Sequence, residues 1–224
     1  MYGKVKLTKR QIKEDKFTTF MLNAKHQFLE HWQYFIIGIA AIILIAVAIV
    51  YYFNSQTARQ QEAAQRLSRA IMDYRAGNSE VALLDLNEIL NDYAGSEIAD
   101  HATFLLAKMN YDAHNYPEAL RYYEMYVNQY KDNPLRRASA MGGIAACYEN
   151  QRNIHESAKR FAAAIEEYPD SPLAADYRMS ALRNFLIAGD VEAARIQYEA
   201  ILEKYPNTEL EKRAIRLFHE LTSS

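Results

Sequence analysis

Two hydrophobic patterns divide the chain. From Tyr34 to Phe53 the apolar positions are continuous: YFIIGIAAIILIAVAIVYYF, 20 residues without a charge. After it, apolar residues return every three or four positions, the period of a helix with one buried face. A helix of 20 residues is about 30 Å long, enough to cross the hydrocarbon core of a bilayer, and this one has no polar edge. Trp32, Tyr34 and Phe35 stand at one end of the run and Tyr51, Tyr52 and Phe53 at the other. Rings that are half apolar and half wet settle at membrane interfaces. The pattern predicts a transmembrane helix over 34–53. The run is too long for a cleavable signal peptide and no small-x-small site follows it, so it reads as a signal anchor that stays in the membrane.

The flanks give an orientation. Residues 1–33 carry Lys4, Lys6, Lys9, Arg10, Lys13, Lys16 and Lys25 against Glu14, Asp15 and Glu30, whereas residues 54–224 hold 19 Lys/Arg and 25 Asp/Glu. Positive charge stays on the cytoplasmic side, which puts the N-terminus in the cytoplasm and the remainder outside it. Arg59, Arg66 and Arg69 follow the span closely and reduce the contrast. Residues 8–33 read as a basic amphipathic helix. Thr8 and Gln11 fit a capping box, and Ile12, Phe17, Phe20, Met21, Phe28 and Trp32 recur at helical spacing. Such a helix suits an anionic inner leaflet; the alternative is a basic tail that only sets topology. The one break after the span is Asn54-Ser55-Gln56, unless the membrane helix runs straight on into the next.

Beyond Thr57 the sequence repeats. Asn78, Asn115, Asn153 and Asp190 are 37, 38 and 37 residues apart. Four residues on come Ala82, Ala119, Ser157 and Ala194, all small; four further on come Leu86, Tyr123, Phe161 and Tyr198, all large. Leu90, Val127, Ile165 and Leu202 follow, then Tyr93, Tyr130, Tyr168 and Tyr205. The Asn/Asp column is expected to take the left-handed turn that closes one helix and to cap the next. The small residue lets two helices approach and the large one fills the core. After each Tyr comes turn chemistry, as in Asp132-Asn133-Pro134 and Pro169-Asp170-Ser171-Pro172. Each unit is therefore a helical hairpin, with helices near 57–76 and 79–93, 97–113 and 117–130, 135–151 and 154–167, 173–188 and 191–204. A last amphipathic helix, 209–221, opens on a Thr208–Glu211 capping box and closes the stack. Its Leu210, Ala214, Leu217, Phe218 and Leu221 face the stack, with Glu211, Lys212, Arg213 and Arg216 on the other side. The fold class is all-α: one transmembrane helix, then an α-solenoid of about four hairpins plus a capping helix, with domains at 1–33, 34–53 and 57–224.

Composition agrees and removes several classes of function. Glycine and proline number only 7 and 5, and net charge is −2, which gives no nucleic-acid footprint. The single cysteine, Cys147, allows neither an intramolecular disulfide nor a cysteine-based zinc site, and its apolar surroundings read as a small buried hydrophobe. No cysteine stands near the N-terminus to carry a lipid. His155-Glu156 is followed at the spacing of a zinc helix by Lys159, not His. Gly142-Gly143 lacks the Lys and Ser/Thr of a phosphate loop and reads as a close helix contact. Glu166 and Glu167 are adjacent and point to different faces. No catalytic, cofactor-binding or metal residue is expected, no cofactor and no small-molecule substrate.

Asn115-Tyr116-Pro117-Glu118-Ala119-Leu120 and Gly189-Asp190-Val191-Glu192-Ala193-Ala194 resemble the turn and second helix of tetratricopeptide repeats. The Tyr168-Pro169-Asp170-Ser171-Pro172 and Tyr205-Pro206-Asn207-Thr208 endings resemble the long-period variant found in bacterial envelope proteins. The period exceeds the usual 34 residues by three or four, and the first helices lack the family's common Trp and Gly positions. The order of basic N-terminus, single span and repeat domain is similar to that of the ancillary subunit of the SecYEG translocon. The resemblance implies a non-enzymatic, membrane-anchored scaffold or chaperone-like helper of the bacterial inner membrane, with a periplasmic domain that presents a groove to envelope, translocon or assembly proteins. A fixed structural subunit of a large membrane assembly is the alternative. It also implies that first helices line the groove, which places Ile71, Tyr74 and Arg75, then Phe104, Lys108 and Tyr111, then Ala146 and Glu149, then Met179, Arg183 and Leu186 along it.

Overall fold

The computed structural model describes residues 9–222. Among them it has no strand, and nine α-helices: α1 (Lys9–Arg75), α2 (Ser79–Asp92), α3 (Glu97–Asp112), α4 (Tyr116–Gln129), α5 (Pro134–Asn150), α6 (Ile154–Glu167), α7 (Ala174–Ile187), α8 (Val191–Lys204) and α9 (Glu209–Thr222). The expected cap residue Thr8 lies outside the described residues. So do the side chains of Ile12, Phe17 and Phe28, on which the amphipathic reading of 8–33 rests.

The chain divides into two units, 1–59 and 60–224. In the first unit the apolar run is helical, and its described side chains are exposed, with Ile42 67% and Leu44 69% accessible. The helix from Trp32 onward is long and apolar enough to cross a membrane. The polar triplet Asn54-Ser55-Gln56 does not interrupt α1. It contains no glycine or proline, and its neighbourhood turns polar groups back onto the helix. Ser55 Oγ donates to Tyr52 O at 2.8 Å and Thr57 Oγ1 to Phe53 O at 3.0 Å.

In the second unit, helices adjacent in sequence are adjacent in space from α2 to α9, and α9 packs on both α7 and α8. The small-residue column is wholly buried: Ala82, Ala119, Ser157 and Ala194 are each 0% exposed. One apolar cluster runs from Ala70 through Leu86, Ile89, Leu106 and Tyr126 to Cys147. A second gathers Ala145, Phe161, Leu182, Phe185, Ile201 and Phe218. Each large aliphatic residue fully buried in them contributes about 1.5–3 kcal/mol relative to exposure. Gly142 and Gly143 do make room for close packing, but for rings rather than for another backbone. A Cβ on Gly142 would collide with Tyr177, and one on Gly143 would lie 2.5 Å from the Tyr123 ring.

The turn inside each hairpin departs from expectation. The Asn/Asp column is not left-handed: Asn78, Asn115, Asn153 and Asp190 have φ of −83°, −84°, −87° and −88°. The preceding residue is, with φ +88° at Gly77, +62° at His114, +66° at Arg152 and +80° at Gly189. In every copy that residue's N–H donates to the carbonyl three back and the Asn/Asp N–H to the carbonyl five back, as in His114 N to Tyr111 O at 2.9 Å and Asn115 N to Asn110 O at 2.8 Å. This pair of bonds closes a helix with one left-handed residue. Capping by the column is also narrower than expected. Asp190 Oδ1 accepts from Ala193 N at 3.1 Å, but Asn78, Asn115 and Asn153 make no such bond. Between hairpins the caps are Ser96, Asn133 and Thr208, whose side chains accept from Ala99, Arg136 and Glu211 N–H groups. Each such cap contributes about 1 kcal/mol.

Candidate protein-binding clefts

The period of 37–38 residues brings one helix face of each hairpin against the same face of the next, and side chains bond across between residues 34 to 39 apart. Tyr74 on α1 donates through Oη to Asp112 Oδ2 on α3 at 2.7 Å, and Lys108 Nζ donates to the same oxygen at 3.1 Å. Asn150 on α5 donates to Tyr111 Oη on α3 at 3.0 Å. Arg183 Nη2 on α7 donates to Glu149 Oε1 on α5 at 2.6 Å, while Asn184 Nδ2 reaches Glu149 Oε2 at 3.1 Å and Ser157 Oγ at 3.0 Å. Asn184 is 0% exposed, so its amide depends on those two acceptors.

These bonds separate two clefts. One, of about 360 Å³, is formed by Leu67, Ile71, Tyr74 and Arg75 of α1, His101, Phe104, Leu105 and Lys108 of α3, and Arg136 of α5. Its floor is firm: the Phe104 ring sits edge-on to Tyr123 and Tyr126 at 6.0 and 5.5 Å. The other, of about 230 Å³, is formed by Met179 and Arg183 of α7 and Arg213, Arg216, Leu217 and Glu220 of α9. Neither cleft takes a residue from α2, α4, α6 or α8. A larger hollow of about 390 Å³ lies elsewhere, where Pro134 and Leu135 meet the Tyr168–Pro172 connection.

Of the residues expected along a groove, Ile71, Tyr74, Arg75, Phe104 and Lys108 converge in the first cleft, and Met179 and Arg183 in the second. Met179 is only 7% exposed and belongs mainly to the core, as does Leu186. Tyr111 and Glu149 line neither cleft, being engaged in the bonds between hairpins. Leu67, His101, Leu105 and Arg136, and all four α9 residues, line the clefts without having been expected there. The amphipathic pattern sets Leu217 apart from Arg213 and Arg216, but the structure brings all three together on the i, i+3, i+4 face of α9 that borders α7.

Electrostatically the clefts stand apart from their surroundings. Each is lined by three Lys/Arg side chains, against a single acid, Glu220, in a region of the chain with more acids than bases. In the first cleft Lys108 is held by Asp112, and Arg136 by Asp100 at 3.0 Å and His101 at 2.7 Å. The hydrogen bond to the Asp112 carboxylate, assisted by burial, pushes the Tyr74 hydroxyl up to about 12. Burial pushes the Cys147 thiol up to about 12, keeping it protonated inside the core. No group of three His, Cys, Asp or Glu among the described residues is placed to hold a metal ion.

The chain is similar to a crystal structure of Podosopora anserina kinesin light chain nearly identical TPR-like repeats, with a TM-score of 0.55 and 13% identity over 72% of this chain and 85% of that one. At that identity the likeness is one of fold. No curated protein matches the chain. The profile described as tetratricopeptide repeat matches residues 148–208, and that described as tetratricopeptide repeat-like domain matches residues 25–142. The chain belongs to the tetratricopeptide repeat-like domain family.

Proposed function

We propose that this protein is a membrane-anchored protein-binding scaffold, or chaperone-like helper, of the bacterial inner membrane. Residues 34–53 span the bilayer, the N-terminus is cytoplasmic, and the repeat domain lies on the periplasmic side. The observation that carries the binding role is the convergence of Tyr74, Arg75, Phe104 and Lys108 in one cleft and of Met179 and Arg183 in another, both lined only by first helices and α9. Apolar floors rimmed by Arg, with Tyr74 added in the first cleft, are the composition of binding hot spots. Anchoring is supported by the exposed apolar run, whose burial would otherwise have no partner. The Lys/Arg-rich N-terminal segment supports the orientation, and the layout supports a client at a translocon or envelope machine. The reading has no catalytic step: the anchor raises the local concentration of the clefts at the membrane surface.

The test is photocrosslinking of the full chain in its native membrane, with probes replacing Tyr74 and Arg183 and controls at Glu192 and Arg195 on α8. Adducts at the cleft positions with many unfolded envelope chains or with translocon subunits support the helper. A single stoichiometric adduct makes the protein a fixed subunit, and adducts at α8 alone overturn the cleft assignment. An alkaline carbonate wash checks the anchor: release into the supernatant would overturn it.

A further inference from the structure

The two clefts differ in how their cations are committed. Lys108 and Arg136 of the first are already paired with carboxylates, which leaves Arg75 alone there, and Arg183 of the second gives its short bond to Glu149. Arg213 and Arg216 of the second cleft are exposed and form no ion pair among the described residues. They lie three residues apart on α9, hence on one face. Beneath them is an apolar floor of Met179 and the half-buried Leu217. The platform is rigid, because α9 is pinned by fully buried Ala214 and by Phe218, whose ring stacks on Tyr198 at 4.5 Å. The arginines are thus presented from a fixed element, which lowers the ordering cost of using them.

We propose that the cleft between α7 and α9 receives an acidic segment of a partner protein. One large apolar side chain seats against Met179 and Leu217, and flanking carboxylates pair with Arg213 and Arg216. The inference rests on the scaffold reading and specifies its partner. Charge complementarity carries it: two uncommitted arginines face the cleft in a region where acids outnumber bases, and Arg binds carboxylates bidentately. Size agrees. Pockets for small molecules occupy about 300–1,000 Å³, and this cleft, at about 230 Å³, suits a single side chain of a longer segment. Glu220 gives the cleft one negative end, which disfavours a basic segment in the same place and fixes a direction for the bound one.

The test uses the full chain in nanodiscs of zwitterionic lipid and a fluorescein-labelled amphipathic peptide of Glu and Leu at helical spacing, read by anisotropy. A matched peptide with Lys for Glu is the control. The acidic peptide binds and the basic one does not. The exposed pair R213E/R216E, checked for folding by circular dichroism, weakens binding by about tenfold or more, and R213K/R216K retains part of it. Equal binding of both peptides, or an unchanged affinity in R213E/R216E, overturns the proposal. So does binding of phosphatidylglycerol vesicles through these arginines without binding of the peptide, which makes the site one for lipid headgroups. If the peptide fails while crosslinkers at Tyr74 still capture partner proteins, the scaffold stands and the acidic partner falls.

Discussion

Tyr74 and Asp112, 38 residues apart, are joined by a 2.7 Å hydrogen bond from the tyrosine hydroxyl to the carboxylate, which ties the first hairpin to the second. The same bond that raises the Tyr74 hydroxyl to about 12 acts on its acceptor. Burial alone would raise the Asp112 carboxyl, but the bonds from Tyr74 and Lys108 outweigh it and the carboxyl titrates below its ordinary value. Tyr74→Phe removes one charge-assisted bond at a partly exposed site and should cost about 1 kcal/mol in chemical denaturation.

The pH dependence of that pair has a definite sign. A tyrosine raised in the fold contributes stability that is intact below its ordinary value of 10.0 and is lost as pH climbs toward about 12. Burial raises Tyr177 to about 12 as well, so both work in one window. Asp112, being lowered, contributes stability above its ordinary value of 3.8 that is lost as pH falls through its depressed one. Denaturation midpoints between about pH 10 and 12 should fall in the native protein and fall less in Tyr74→Phe. Identical slopes would refute the coupling.

Gly143 faces the ring of Tyr123, which is buried at 6% exposure and would lie 2.5 Å from an added Cβ. Gly143→Ala gains up to about 1 kcal/mol of helix propensity, yet it overpacks the core at a cost of about 1–3 kcal/mol. The net expectation is a lower melting temperature, the reverse of the usual result for Gly→Ala in a helix.

Arg152 and His114 both hold a left-handed conformation that suits glycine. The left-handed penalty for an L side chain is about 1–2 kcal/mol, and glycine's greater freedom in the unfolded chain takes back about 0.5–1. Arg152→Gly should therefore stabilise by about 0.5–1 kcal/mol. His114→Gly should gain less, because the imidazole lies 3.2 Å from Asp112 O and stacks on Tyr116 at 5.8 Å. Equal gains in thermal melts would rule out a role for those contacts.

Glu149 supports a buried amide. Glu149→Ala leaves one N–H of Asn184 without its acceptor and frees Arg183, for an expected loss of about 1–3 kcal/mol. Glu149→Gln keeps an acceptor and should lose less. A double-mutant cycle with Arg183→Ala separates the two effects.

The hairpins were legible because each column answers to one physical demand repeated four times. Ala82, Ala119, Ser157 and Ala194 must be small where helices touch, and the period exposes them. The left-handed residue was not legible, since Gly77, His114, Arg152 and Gly189 share a backbone angle but no side-chain chemistry; attention fell on the uniform Asn/Asp neighbour. Of the cleft residues on α1 and α3, Ile71, Tyr74, Arg75, Phe104 and Lys108 were legible once the resemblance put first helices along a groove, whereas Leu67, His101 and Leu105 were not. Arg213 and Arg216 were not, because charges on a terminal helix satisfy the ordinary expectation of a solvated cap, and only the packing of α9 on α7 turns them toward a cleft.

Helix α5 gives Ala140, Ile144 and Cys147 to one apolar cluster and Ala145 to the other. Pulled from its N-terminal end, the domain would peel helix by helix until the load reached α5, which cannot leave without breaking into both clusters. The resisting step would fall midway along the chain, and the α7–α9 cleft would keep its shape, and its grip on a partner, after the hairpins nearer the N-terminus had been drawn out.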